Sequence, residues 1–388
     1  MEGIERMNAL VVGGSNGIGL ALALRLSALC HHVTIVDRAT PEVDVPVNVD
    51  VVTHNLVDGN IGFTEKIGNV NILVVTAGFG RVAPFESILP AEIDNLFSVN
   101  AVSVTKLLNH YFAEMKKSHD FYCAVMGSIA GLVSSPLFAT YAATKAAVCR
   151  LVESLNAELE ASETENRILN VSPGSFKGSR FNGGMKNNLE LLNPLADDIL
   201  NNMFTRQTLF IPDYEKTYKS VIERYAKDAR QFGLDSCRYK MECGRMNLKP
   251  QLTVGYLSGT FDLFHIGHLN MLRNAKQHCD YLVVGVHKDA SHKGKESFIP
   301  LEERMDIVRN VRYVDEVIQS LPEDDEIYKQ GIVKYDFLFV GSDYKGSERF
   351  NRYEAFFADK GVKIIYFPYT KGTSSTQLRE ALDAVRKK

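Results

Sequence analysis

Short apolar runs alternate with amphipathic stretches along most of the chain. Asn8–Val12, Val33–Val36, Asn71–Val75 and Tyr122–Met126 are each four or five residues long and mostly apolar. Runs of that length with little internal alternation predict strands buried on both faces. Helix-period stretches lie between them: Leu20–Leu26, a segment containing Phe97–Asn100, and one opening at Tyr141–Lys145. The rhythm returns near the C-terminus. There Val254–Gly259, Tyr281–Val286, Phe337–Val340 and Val362–Tyr366 read as strands and Leu269–Lys276 as a helix. Strands alternating with helices predict an α/β chain with parallel sheets covered on both faces.

The middle of the chain is less regular. Leu195–Met203 and Tyr214–Phe232 read as helical and Thr208–Ile211 as a strand. Asp235–Pro250 has little periodicity and reads as a linker. A length of 388 residues predicts two or three domains. The division expected is a first domain over 1–240, a linker over 241–251 and a second, smaller domain over 252–388. There is no internal repeat.

Composition narrows the function classes. The net charge is −3 and 23% of residues are charged, with no basic block to mark a nucleic-acid surface. No apolar run approaches the length of a membrane span. The opening Met-Glu-Gly-Ile-Glu-Arg lacks the apolar core of a signal peptide. The six cysteines are scattered, with no Cys-x-x-Cys, which fits a cytoplasmic, thiol-reduced protein. Cys237 and Cys243 read as ordinary thiols rather than a metal pair.

The first chemical motif is the turn Gly13-Gly-Ser15-Asn16-Gly17-Ile18-Gly19, between the first strand and the first helix. Glycines there make a tight turn, admit a pyrophosphate and let the helix pack on the sheet. Asp37, ending the second strand, is placed to bond the ribose hydroxyls of a dinucleotide. This predicts a Rossmann-type doubly wound parallel sheet. Asp37 favours NAD(H) by repelling a 2′-phosphate, and Arg38 beside it favours NADP(H) by pairing with one.

Asn100, Ser128, Tyr141 and Lys145 carry the second motif. Tyr and Lys four apart share one helix face. An ammonium beside a phenol is expected to lower the phenol's pKa toward neutrality, and a serine hydroxyl can hold a substrate oxygen. With these residues and the glycine turn, residues 8 to about 240 resemble the short-chain dehydrogenase/reductase family. The resemblance implies that Tyr141 is the general acid and Ser128 orients the carbonyl. It implies that Lys145 binds the nicotinamide ribose and tunes Tyr141, and that Asn100 supports a relay water. It also places Asn55, Leu56, Ala77 and Gly78 around the cofactor, Pro173 and Gly174 beside the nicotinamide, and Ser179 at its carboxamide. Val12, the pair Asn55-Leu56 and Val75-Thr76 depart from the family's usual residues.

The second domain opens with Gly259-Thr260-Phe261-Asp262, then His265-Ile-Gly-His268 and a helix pattern. Two imidazoles at a helix mouth suit a phosphate, because unpaired N–H groups and the helix dipole both favour anions there. A zinc pair or two surface histidines are the alternatives. A second glycine-hydroxyl turn, Gly372-Thr373-Ser374-Ser375-Thr376, precedes the last helix pattern. Residues 252–388 resemble the His-x-Gly-His nucleotidyltransferases, within them the glycerol-phosphate cytidylyltransferases. Arg304-Met-Asp, Arg312-Tyr-Val-Asp-Glu-Val and Gly341-Ser-Asp343 follow in the family's order. The resemblance implies a site for CTP and a phosphate monoester, with Mg²⁺. It places Lys293 and Lys295 at phosphates and Arg304 on the substrate side. Tyr369 stands where the family commonly has Arg.

The combined expectation is a bifunctional enzyme. Its first half reduces a ketose phosphate such as ribulose 5-phosphate to an alditol phosphate with NAD(P)H. Its second half transfers CMP to give a CDP-alditol such as CDP-ribitol or CDP-glycerol, releasing pyrophosphate, for a capsule or teichoic-acid-like polymer. A dinucleotide-sensing module fused to one active transferase is the alternative, and adenylyl transfer is a further one. The expected partners are small molecules and a second copy of the chain, as a homodimer or higher oligomer, with no nucleic acid or membrane. The metal ligands are unknown from sequence.

Overall fold

The computed structural model describes residues 3–57, 59–174, 181, 188–244, 246–248, 252–289, 297–368 and 377–378. The chain forms two compact units, Met1–Gln251 and Leu252–Lys388.

The first unit is built on seven strands, β1 (Asn8–Val12), β2 (His32–Asp37), β3 (Val49–Thr53), β4 (Ile72–Val75), β5 (Tyr122–Met126), β6 (Ile168–Val171) and β7 (Leu209–Phe210). Their order is β3-β2-β1-β4-β5-β6-β7, and every neighbouring pair is parallel. The helices are α1 (Gly17–Ser27), α2 (Pro90–Phe97), α3 (Ser103–Met115), α4 (Ala139–Ala161), α5 (Leu189–Phe204), α6 (Lys219–Lys227) and α7 (Ala229–Glu242). Side chains alternate across each strand, so one strand feeds two cores. Leu10 and Val12 join Val104, Leu107, Val148 and Val152 of α3 and α4. Ala9 and Val11 join Leu22, Leu26, Leu195 and Ile199 of α1 and α5. Strand order reverses between β1 and β4, which opens a crevice at their carboxyl ends.

Two strands of this first unit were not evident in the pattern. β3 is an edge strand with only Val49 buried, and β6 is four residues long. The expected linker also differs. Asp235 to Glu242 belong to α7, capped by Asp228, whose carboxylate accepts from Gln231 N at 2.8 Å. This helix buries none of its residues. It therefore lacks the apolar stripe by which a helix is read from sequence. Residues 246–248 return to the first unit: Asn247 N donates to Val82 O at 2.8 Å, and Arg81 Nη1 to Asn247 O at 2.8 Å.

The second unit has five strands, β8 (Val254–Gly259), β9 (Tyr281–His287), β10 (Glu316–Ser320), β11 (Phe337–Gly341) and β12 (Lys363–Phe367). Their order is β10-β9-β8-β11-β12, again all parallel. Its helices are α8 (Ile266–Lys276), α9 (Leu301–Arg309), α10 (Asp324–Lys329) and α11 (Glu348–Phe357). Leu257 of β8 packs with Leu272 of α8 on one face, and Tyr256 packs with Tyr353 of α11 on the other. Both units are the parallel α/β folds expected, the second smaller. No helix among the described residues is long and apolar enough to cross a membrane.

Candidate active sites

In the first unit the glycine turn is fixed from several sides. Gly13 has φ +90°, and a Cβ on it would lie 2.3 Å from Ala77 N. A Cβ on Gly19 would meet Gly13 O at 2.1 Å. Only glycine fits either position. Thr76 Oγ1 donates to Gly13 O at 2.9 Å, and Ala77 N to Val12 O at 3.0 Å. The departure Val75-Thr76 thus has a structural role, tying β4 to the turn. Asn16 caps α1, Gly17 follows with φ +56°, and Ile18 packs on the α1/α5 core. Ser15 N donates to Asp37 Oδ2 at 3.0 Å. The hydroxyl of Ser15 is buried with no hydrogen-bond partner among the described residues. Arg38 is exposed beside Asp37. Asn55 and Leu56 are buried just beyond β3, with Asn55 Oδ1 accepting from Val57 N at 3.2 Å. A buried hydroxyl without a partner costs free energy. The cradle with its unsatisfied Ser15 therefore fits the phosphates of a dinucleotide.

At the carboxyl ends of β4 and β5 the predicted tetrad comes together. Ser128 follows β5, and Tyr141 and Lys145 lie one turn apart on α4. Ser128 hydrogen-bonds the Tyr141 phenol. Ser128 Oγ and Ile129 N lie 3.5 Å and 3.1 Å from Pro173 O, which sets Pro173-Gly174 against the same strip. Lys145 Nζ donates to Met126 O at 2.8 Å and sits 5.7 Å from the centroid of the Tyr141 ring. Asn100 is fully buried in a π-helical turn over Ser98–Val102. Its side chain accepts from Phe79 N at 3.0 Å and donates to Phe79 O at 2.9 Å and Thr144 Oγ1 at 3.1 Å. A Cβ on Gly78 would lie 3.2 Å from Asn100 Oδ1 and 3.3 Å from Lys145 Nζ. Gly78, Asn100 and Lys145 therefore share one small space. Ser179 lies outside the described residues.

The expectation for the phenol needs correction. Burial pushes the Tyr141 pKa up, and the bond from Ser128 opposes this only in part. Burial also brings Lys145 down to about 8. Both charged forms lose hydration here, and the hydrogen bond of the ammonium goes to Met126 O. The protein itself therefore holds Tyr141 neutral, the form that can give up a proton to a carbonyl oxygen.

The residues that shape the mouth were missed in the sequence. Phe138 stacks on Tyr141 with centroids 4.1 Å apart, and Phe181 lies 5.4 Å from Tyr141. Gly80 lies against the phenol, since a Cβ there would be 2.6 Å from Tyr141 Cδ2. Arg81 and Glu92 form a buried two-pronged ion pair at 2.7 and 2.8 Å. Arg81 also donates to Ser87 O at 2.7 Å, fixing the loop before α2. An isolated Arg and Glu eleven positions apart give no periodic signal.

In the second unit, β8 ends in a strained turn. Phe261 and Leu263 have φ +52° and +49°, conformations costly for side chains of that size. The turn places His265 as the cap of α8. His265 Nδ1 accepts from Gly267 N at 3.0 Å, and His268 Nδ1 accepts from His265 N at 3.4 Å. The two rings stack with centroids 4.0 Å apart. Burial lowers the His265 pKa, so its ring is neutral at pH 7. With Nδ1 of each ring accepting, Nε2 carries the proton in the neutral ring. Thr260 Oγ1 is buried without a partner among the described residues. Two stacked imidazoles at a helix N-terminus, with a buried Thr260 hydroxyl in the preceding turn, suit a phosphate rather than zinc. Among the described residues no three His, Cys, Asp or Glu are placed to hold a metal ion.

Two predicted contacts prove to be framework. Asp262 accepts from Phe298 N and Ile299 N, both at 3.0 Å. Arg304, expected on the substrate side, is fully buried. Its guanidinium donates to the carbonyls of Ile299, Thr260, His287 and Lys288. It ties together the ends of β8 and β9 and the start of α9. Gly341 ends β11 and abuts Asp343, whose Oδ1 would lie 2.4 Å from a Cβ at 341. Lys293, Lys295, Tyr369, Gly372, Thr373, Ser374, Ser375 and Thr376 lie outside the described residues.

Known proteins resemble the two units separately. A family described as short chain dehydrogenase matches residues 7–189, and one described as cytidylyltransferase-like matches residues 256–381. The chain is 37% identical over 129 residues to glycerol-3-phosphate cytidylyltransferase of Bacillus subtilis (strain 168), covering 32% of this chain and 92% of that protein. It is 36% identical over 126 residues to the Bacillus spizizenii protein of the same name, covering 31% and 91%. The first unit is 29% identical over 172 residues to 3-oxoacyl-(acyl-carrier-protein) reductase MabA of Mycobacterium avium, covering 43% of this chain and 66% of that protein. The chain belongs to the cytidylyltransferase family through its second unit and carries a short-chain dehydrogenase domain ahead of it, so it is an enzyme with a reductase part and a cytidylyltransferase part.

Proposed function

We propose that this dehydrogenase–cytidylyltransferase fusion catalyses two consecutive steps, reducing a ketose phosphate to an alditol phosphate and converting that product to a CDP-alditol. The observation that carries the reading is the pairing, in one chain, of a Ser128-bonded neutral Tyr141 with a His265–His268 phosphate mouth. A compound that leaves a carbonyl reductase and enters a cytidylyltransferase must gain a hydroxyl and already carry a phosphate. An alditol phosphate meets both conditions.

In the first site Gly13, Ser15, Gly19 and Asp37 hold the dinucleotide, and Lys145 with Asn100 borders its nicotinamide end. A bound nicotinamide dinucleotide supplies the hydride. Ser128 orients the carbonyl oxygen, and Tyr141 gives that oxygen its proton, leaving an alcohol. Phe138 and Phe181 keep water from the ring face of Tyr141.

In the second site the alditol phosphate oxygen attacks the α-phosphorus of CTP in line. A phosphorus–oxygen bond forms, the bond to the β-phosphate breaks, and pyrophosphate leaves. His265, His268 and the α8 N-terminus stabilise the charge on the transferring group. The Mg²⁺ expected for this chemistry comes with the triphosphate. The CDP-alditol, CDP-ribitol or CDP-glycerol in type, would serve a surface polymer made from the cytoplasmic side, and the chain would act as a homodimer.

The test is incubation with CTP, Mg²⁺, NADH or NADPH and a panel of ketose phosphates including ribulose 5-phosphate, followed by mass spectrometry. A CDP-alditol is expected with at least one of them. Cytidylylation of ready-made alditol phosphates together with no reduction of any ketose phosphate would overturn the coupling.

A further inference from the structure

A cavity of about 20 Å³ lies beside Tyr141, between the loop that precedes α2 and the first turn of α4. Ile88, Leu96 and Leu137 give it apolar walls, and Arg81, Thr140 and Tyr141 give it polar ones. A space of that volume takes one particle about the size of a water molecule. Thr140 is 9% exposed, and its hydroxyl is buried with no hydrogen-bond partner among the described residues. Native structures seldom leave such a group unpaired unless something else satisfies it.

The other polar groups around this space are donors. Thr140 stands in the first turn of α4, a helix of 23 residues that no side chain caps. Among the described residues no carbonyl accepts from the N–H of Ala139, Thr140 or Tyr141, and the first backbone bond of the helix runs from Ala142 N to Phe138 O at 2.9 Å. Free N–H groups and the positive end of a helix dipole both favour an anion. Arg81 adds to them. Four of its five N–H groups go to Glu92, Ser87 and Asn247, which leaves one on Nη1. Glu92 balances the charge of Arg81, so Arg81 offers the cavity a donor rather than a net charge. The nearby carbonyls are already used, Leu137 O by Ala83 N at 2.7 Å and Phe138 O by Ala142 N. A water molecule would find donors here and little to donate to, whereas a small anion accepts from all of them.

We propose that this cavity, between the Thr140 hydroxyl, the uncapped first turn of α4 and Arg81, is a binding site for a single small monovalent anion of the size of chloride. The volume is too small for a phosphate. Each hydrogen bond to the ion is charge-assisted. Negative charge one residue from Tyr141 opposes ionisation of the phenol, in the same direction as burial. The site stands apart from the ketose-phosphate reading, and its test needs no substrate.

The experiment follows thermal unfolding of the full-length protein in sodium chloride and in sodium gluconate at equal ionic strength, gluconate being too large for the cavity. Chloride is expected to raise Tm saturably over gluconate, by about 3–6 °C at ten times its dissociation constant. Thr140→Val keeps the shape of the side chain and removes the hydroxyl, so most of the rise is lost. Thr140→Ser keeps the hydroxyl and keeps the rise. Equal Tm values in the two salts would show that water fills the cavity and overturn the site. A Thr140→Val protein that responds to chloride as the unaltered protein does would overturn it as well. Should Thr140→Val fail to fold, bromide decides: crystals of the unaltered protein grown in sodium bromide are expected to show an anomalous-scattering peak in the cavity, and density there without one counts against the anion.

Discussion

The ammonium of Lys145 lies 5.7 Å from the centre of the Tyr141 ring, over its face, with its hydrogen bond going to Met126 O rather than the phenol oxygen. Tyr141 is therefore kept protonated by burial, and Lys145 is the group whose charge titrates first, at about 8. The unburied lysine value is 10.5. Below pH 8 the ammonium is present; above it the charge is lost. The pH profile of kcat/KM for reduction, which reports the free enzyme, is expected to fall with an apparent pKa near 8. The burial cost of the charge is fully present below pH 8 and fades as pH rises toward 10.5, so this residue adds stability in that window. A profile flat to pH 10 would sink the assignment.

Tyr141→Phe removes the proton donor while keeping the ring that stacks on Phe138. Reduction is expected to drop by about 10²–10⁴-fold with CMP transfer unchanged. Turnover of the ketose at the normal rate would show that another group gives the proton.

His268→Ala removes one N–H from the phosphate mouth. CMP transfer is expected to fall by about 10²–10³-fold, the cost of one such donor. A ketose phosphate with NAD(P)H should then accumulate as free alditol phosphate, and an added, separately prepared 252–388 fragment with that transfer activity should restore the CDP-alditol. If no alditol phosphate appears, reduction follows nucleotide transfer and the order of steps is reversed.

Asp324 offers a stability test in the second unit. Its carboxyl is buried beside Ser258 and Arg349, and burial raises its pKa to about 6 despite both partners. Its Oδ1 has no hydrogen-bond partner among the described residues. The charged form is thus disfavoured in the folded protein, a cost present above pH 6 and gone below the ordinary carboxylate range. Asp324→Asn is expected to stabilise the protein by about 1–3 kcal/mol at pH 8 and by nothing near pH 4. Denaturant melts at the two pH values check this; destabilisation at pH 8 would mean that the Arg349 pair outweighs burial.

Cofactor choice turns on Asp37, which already accepts from Ser15 N and would repel a 2′-phosphate. NADH is expected to be preferred over NADPH. A tenfold preference for NADPH, about 1.4 kcal/mol, would assign the adenosine end to Arg38 instead.

The sequence by itself determined both parallel folds, because buried strands must be short and apolar and the helices between them must carry one apolar face. It also paired Tyr141 with Lys145 and His265 with His268, since each pair sits at helical spacing and needs only a local rule to be seen together; Asn100 and Ser128 joined the first pair only through the family resemblance. What depends on distant contacts was decided by the tertiary structure. Arg304 reads as a substrate ligand, yet becomes framework because the ends of β8 and β9 bring carbonyls around it. The lowered pKa expected for Tyr141 fails because desolvation belongs to the packed environment, not to the spacing of two residues. α7 carries no buried stripe, so nothing periodic marks it. Bonds from Lys240 to Ser135, 105 positions away, and from Arg81 to Asn247, 166 positions away, tie α7 and the residues just beyond it to loops of the first unit.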